Sequence, residues 1–159
     1  MAKRSRSVSN KSVTVRNRQK VRSIDVRLLR EMAEVLAGGL LESRPRELGI
    51  HIVAAREMAR LNETFLGHQG STDVLSFDYS QPGQQNLLCG EILVCLDEAE
   101  VQARRFRTTW QSELVRYVIH GVLHLIGHDD HDPASRRKMK FEENRLLKQL
   151  GRQFKFSEL

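Results

Sequence analysis

His120 and His124 lie four residues apart in a stretch whose apolar residues recur at helical spacing. On a helix, that spacing puts both imidazoles on one face, with Cα atoms about 6 Å apart along the axis, close enough to share one ion. Gly127 follows His124 by three residues and Asp130 by six. A glycine there lets the chain reverse, because it takes positive φ without a Cβ clash. The returning chain can then deliver a third ligand from the far side of the ion. Two imidazoles and a carboxylate suit zinc, and three protein ligands leave a fourth position for water, as hydrolysis requires. We therefore expect one zinc ion on His120, His124 and Asp130. His131 is the alternative third ligand: it would complete an all-His set, but it comes one residue later than the spacing asks. His128 and Asp129 crowd the same turn, either to orient the ligand imidazoles or as a solvated acidic turn.

The pattern HxxxHxxGxxD resembles the metzincin arrangement HExxHxxGxxH, with Asp130 in place of the third His. The residue after the first His is Gly121, where a peptidase of the HExxH type carries the Glu that serves as general base. Its absence argues against peptide hydrolysis. Glu91, Asp73 and Asp129 are the carboxylates that could act as base, and the sequence does not choose among them. A carboxylate ligand leaves the site about one unit less positive than three His would, so water there should be slightly less acidic.

The elements that must position these residues follow from the periodicity. Residues 12–15 alternate like a short strand. From Asp25, the apolar residues Val26, Leu29, Met32, Leu36 and Leu40 recur at helical spacing, and Gly38 and Gly39 are expected to fray the end. A second strand is expected over 49–53, a helix over 54–66 stopped near Gly67, and a strand over 72–77 followed by a turn at Pro82 and Gly83. A fourth strand over 91–96 leads to a helix N-capped by Asp97 that runs to about Arg107. Thr109 or Ser112 starts the next helix, apolar on most of its circumference and so central, with Gly127 as its stop. Pro133 opens a last amphipathic helix to about Leu150, ended by Gly151. The expected architecture is α+β: a small mixed sheet with helices on one face, the buried central helix carrying the His pair.

A length of 159 residues with 40% hydrophobic and 29% charged residues suits one globular domain. The domain is placed at 12–155, behind a basic N-terminal segment at 1–22. No apolar run is long enough for a transmembrane helix, and the basic start lacks the apolar stretch of a secretory signal. The alternation at 12–15 and the scarcity of apolar residues also speak against a transit peptide. Cys89 and Cys95 have neither the redox nor the zinc-binding spacing and read as small buried hydrophobes. The formal net charge is +6, yet the first 24 residues carry eight Lys and Arg and no acid, which leaves −2 for the remainder. Clustered cations of this kind attract polyanions by counterion release, so this segment is expected to supply most of the affinity for phosphate.

Three blocks carry a resemblance to a known family. HGVLHLIGHDD, beginning at His120, resembles the signature HGxLHLxGxDH of the YbeY family of bacterial endoribonucleases. Thr72-Asp73-Val74-Leu75-Ser76-Phe77 is similar to that family's TDVLSF block, and Gly90-Glu91-Ile92 to its GDI strand start; Leu61-Asn62 fits the end of its preceding helix. The likeness runs in order over about residues 54–131. It implies a zinc-dependent endoribonuclease of single-strand type, cytoplasmic, that matures ribosomal RNA at the 3′ end of the small-subunit RNA and so serves ribosome biogenesis. RNA and the small ribosomal subunit are the implied partners. Two positions depart from the pattern. Asp130 stands where the family's signature ends in His, and Leu66 stands where the family carries an Arg that meets RNA phosphate. His68 is the nearest basic substitute. Other functions compatible with the residues are a ribosome-assembly or RNA-binding factor with structural zinc, fed by the loss of that Arg, and a zinc peptidase, disfavoured by Gly121.

Overall fold

The computed structural model describes residues 12–84 and 87–159. The expectations placed on residues 1–11, including the phosphate affinity of Lys3, Arg4, Arg6 and Lys11, lie outside them. The described residues form a four-stranded mixed sheet and five α-helices. Strands β1 (Val13–Asn17), β2 (Arg44–Val53), β3 (Val74–Asp78) and β4 (Leu87–Cys95) are ordered β1-β2-β4-β3. The first three in that order pair in parallel, and β3 closes the far edge antiparallel to β4. Helices α1 (Val26–Glu34), α2 (Ala55–Leu66), α3 (Leu96–Phe106), α4 (Trp110–Leu125) and α5 (Pro133–Gln153) connect and cover them.

Strand alternation decides what lies on each face. Leu48, Ile50 and Ile52 of β2, with Leu88, Ile92 and Val94 of β4, point into the main core and are essentially buried. Leu29 and Met32 of α1, Leu96 and Ala99 of α3, Val118, Ile119 and Val122 of α4, and Leu146 and Leu150 of α5 complete that core. The opposite face differs from the expectation of helices on one side only. Val53, Leu75, Leu93 and Cys95 are apolar on the second face too, and Met58 of α2 covers them in a smaller cluster. The rest of that face stays open.

α4 is the spine of the fold. Thr109 caps its start, its hydroxyl accepting from the Ser112 amide, and ten of its sixteen residues are buried. Burial all round is what a helix apolar on most of its circumference requires. Gly121 lies close against the sheet: a Cβ there would lie 2.6 Å from Ile92 Cγ2.

Several boundaries differ from the pattern-based expectation. α1 does not fray at Gly38 and Gly39 but continues as a π-helical turn, Val35–Leu40. β2 begins at Arg44, earlier than the apolar run, because β4 pairs with it as far as Leu87. Asp97 is not the N-cap of α3. Cys95 holds that place, and Asp97 sits in the first turn, where its carboxylate accepts from the Ala55 amide at 2.6 Å and so caps α2 instead. Gly151 does not end α5, which runs to Gln153; the Phe156 ring folds back to within ordinary contact of the space beside Gly151. Two cations of the basic segment are spent internally: Arg18 pairs with Glu57 and Arg22 with Glu100.

Candidate metal centre

α4 carries His120 and His124 one turn apart on the side facing β3, and their rings meet edge-on with centroids 4.6 Å apart. Their Nε2 atoms are 3.0 Å from one another. The helix ends at Leu125 with Ile126 as its C-cap, and Gly127 then takes φ 101°, the left-handed region in which a Cβ would be strained. No atom crowds that position, so the backbone angle alone asks for glycine. The reversed chain returns Asp130 to the helix, its Oδ2 3.6 Å from Nε2 of both His120 and His124. One donor atom from each of the three residues lies within 4.8 Å of the others, a group that could hold a metal ion. Two imidazole nitrogens and one carboxylate oxygen converging on one point form a fitting donor set for a borderline cation such as zinc.

A fourth residue completes the arrangement from behind. His120 Nδ1 donates to Glu143 Oε1 at 2.8 Å, and Glu143 is only 8% exposed on the inner face of α5. This bond fixes the tautomer that leaves Nε2 as the acceptor facing the site. The sequence reading did not include Glu143. The signal was there: Met139, Leu146 and Leu150 trace the apolar stripe of α5, and Glu143 is an acid set into that stripe.

The electrostatics separate the two imidazoles. Burial disfavours the cation on His120, but the hydrogen bond and charge of Glu143, with Asp73 and Asp130, outweigh it and raise its pKa above the ordinary 6.5. On His124, burial and the adjacent His120 outweigh Asp130 and lower it below 6.5. Of the two, His120 is therefore the imidazole that takes up a proton more readily.

The other candidates fall in different places. Asp73 reaches the wall beside His120, where its Oδ1 accepts from the Val74 amide at 2.9 Å and from the Thr72 hydroxyl at 3.2 Å. His131 is exposed and lines the cavity of about 460 Å³ that β3 forms with the His pair, without belonging to the three-residue group. Asp129 turns the other way, its carboxylate accepting from the His131 amide at 3.2 Å. Glu91 lies on the open sheet face, paired at 3.6 Å with His51 and taking a hydrogen bond from Tyr79, away from the metal group. His68 is exposed in the loop after α2 and does not line the cavities around the group. Leu66 stands at the rim of the β3 cavity. Gly121 faces Ile92 of the sheet, so no side chain at that position could reach the metal group without moving β4.

The comparisons agree with this geometry. A family model described as Endoribonuclease YbeY matches residues 14–151. A relative from Chlorobium luteolum named Endoribonuclease YbeY is 40% identical over 132 residues, covering 82% of this chain and 93% of its own length. One from Chlorobaculum tepidum, of the same name, is 35% identical and covers 81% of this chain and 91% of its own. One from Chlorobium phaeovibrioides, again so named, is 44% identical over 96 residues, or 60% of this chain and 63% of that relative. Among solved structures, the solution structure of TM1509 from Thermotoga maritima superposes with a TM-score of 0.62 at 26% identity, over 87% of this chain and 88% of that one.

Proposed function

We propose that this chain, which belongs to the YbeY family of endoribonucleases, cleaves single-stranded RNA hydrolytically with one zinc ion held by His120, His124 and Asp130. The single observation that carries the reading is the convergence of those three donors at the end of a buried helix, with Glu143 braced behind one of them. Family membership supplies the substrate class, since the relatives carry the name endoribonuclease. The motifs HGVLHLIGHDD and TDVLSF support the narrower proposal: the RNA is ribosomal, the cut lies toward the 3′ end of the small-subunit RNA, and the work is done in the cytoplasm.

Each residue has a distinct task. His120 and His124 present their Nε2 atoms, and Asp130 adds the charge that holds a dication against two neutral imidazoles. Glu143 keeps the His120 ring from rotating. When bound, the ion supplies Lewis acidity toward a phosphoryl oxygen and lowers the pKa of water. Among the carboxylate candidates, Asp73 is the one on the cavity wall, and we assign it the proton released on attack. The β3 side, from Val74 to Asp78, forms the opposite wall.

The test is to incubate the purified full chain with single-stranded RNA and with casein, each with and without chelator. The reading expects RNA cleavage that the chelator abolishes and no casein cleavage. Casein cleavage, or chelator-resistant RNA cleavage, would overturn it.

A further inference from the structure

The His pair has a second approach besides the β3 cavity. A cavity of about 370 Å³ opens on the other side of His120, between α3, α4 and α5, and shares His120, Asp73 and Asp130 with the first. The two differ in charge. The β3 cavity has no Lys or Arg among its lining residues, whereas Arg116, Arg136 and Lys140 all line the second.

None of these cations forms a salt bridge among the described residues. Arg116 donates to the neutral Asn144 Oδ1 at 2.8 Å. Among the described residues Arg136 hydrogen-bonds to backbone carbonyls, those of Asp130 at 3.5 Å and His131 at 3.3 Å. Lys140 is exposed and has no carboxylate partner among the described residues. Four acids line the same cavity, and none of them pairs with these three cations: Glu113 accepts from the Thr108 hydroxyl at 2.7 Å, Glu143 takes His120, Asp73 accepts from the Val74 amide, and Asp130 belongs to the metal group.

Two further residues point to a ligand with a flat polar body. Phe106, at the end of α3, lines the cavity with 59% of its surface exposed. Tyr117 also lines it, is only 4% exposed, and its buried hydroxyl has no hydrogen-bond partner among the described residues. A buried hydroxyl without a partner is costly, and a ligand oxygen or nitrogen would satisfy it.

We propose that this cavity is a nucleotide subsite for single-stranded RNA, in which Phe106 stacks on a base while Lys140, Arg116 and Arg136 hold the adjoining phosphate beside the metal group. Aromatic stacking joined to backbone cations is the chemistry by which single strands are bound without regard to sequence. The inference rests on the RNA reading above and gives that RNA a direction: it crosses the metal group from the β3 wall, which carries no Lys or Arg, to the α5 wall, which carries Arg136 and Lys140.

The experiment is fluorescence anisotropy on the full chain with its metal retained, read at first mixing, using a labelled single-stranded RNA and a matched abasic strand. Phe106→Ala should weaken RNA binding about five- to tenfold, the low end for losing one base stack, and leave the abasic strand unaffected. Lys140→Ala should weaken both strands and reduce the salt slope by about 0.7, the loss of one phosphate contact on a single strand. Lys148→Ala, an exposed cation on the same helix that does not line the cavity, should change neither. Metal content should stay constant throughout. If wild type binds RNA and all three variants match it in affinity and slope, the subsite is overturned while the RNA reading stands. If wild type binds neither strand, both fall.

Discussion

Glu143 Oε1 sits 2.8 Å from His120 Nδ1, so a buried acid on α5 braces the ring of a residue on α4 that belongs to the group that could hold a metal. The last helix is thereby part of the site, although none of its residues belongs to the group that could hold the ion. Glu143→Ala should lower zinc affinity by about 10–100-fold, the usual cost of losing such a partner. Glu143→Gln, which keeps an acceptor oxygen but loses the charge, should fall between Ala and wild type. Competition against a chromophoric chelator reads both. An alanine variant that binds zinc as wild type does would remove Glu143 from the site.

The same pair sets the pH dependence of metal uptake. Although burial opposes the cation, Glu143 raises the His120 pKa above 6.5, so in the metal-free protein below that raised pKa His120 holds a proton that the ion must displace. The sign follows directly. Below the raised pKa the apparent association constant should climb about tenfold per pH unit, one proton being released per ion, and above it the curve should flatten. Because Glu143 supplies the raising charge, Glu143→Gln should move the bend to lower pH. A bend at the same pH in both proteins would show that Glu143 does not govern the His120 proton.

Asp130 and His131 compete for the third place. Asp130 Oδ2 lies 3.6 Å from both Nε2 atoms, while His131 is exposed on the cavity wall. Asp130→Ala should therefore strip bound zinc to a small fraction at micromolar metal, and His131→Ala should leave occupancy near one ion per chain, both by elemental analysis. The reverse ranking would make His131 the ligand.

Gly121 tests how tightly the ligand helix is seated. A Cβ there would come within 2.6 Å of Ile92 Cγ2 and 3.0 Å of its Cδ1. Overpacking costs about 1–3 kcal/mol and outweighs the roughly 1 kcal/mol of helix propensity that alanine gains over glycine. Gly121→Ala should thus lower the melting temperature. Combined with Ile92→Ala, which removes all three crowding atoms, it should cost less than the two single changes added together. Strict additivity would mean that the contact is not the cause.

Much of this was legible in the residues, for identifiable reasons. The i, i+4 spacing of His120 and His124 on an apolar stretch fixes a shared face, and Gly127 announces the reversal that returns Asp130. These are local relations, and local rules capture them. Glu143 was missed because it lies 23 residues from its partner, and only tertiary packing joins α5 to α4. Asp97 has the composition of a cap, yet it caps α2 across 42 residues instead of its own helix. Glu91 belongs to the separate Gly90-Glu91-Ile92 strand block, but strand parity turns it to the open face with His51. The cavity at Phe106, Arg116 and Lys140 gathers residues from three helices, and no linear pattern contains it.

The most direct test of the central claim is RNA cleavage measured alongside bound metal in wild type and His124→Ala. The account predicts cleavage by the wild type that is lost on chelation and restored by zinc. It predicts neither cleavage nor stoichiometric zinc in His124→Ala, with the variant still folded by circular dichroism. A folded, metal-free His124→Ala protein that cleaves RNA at the wild-type rate would contradict it.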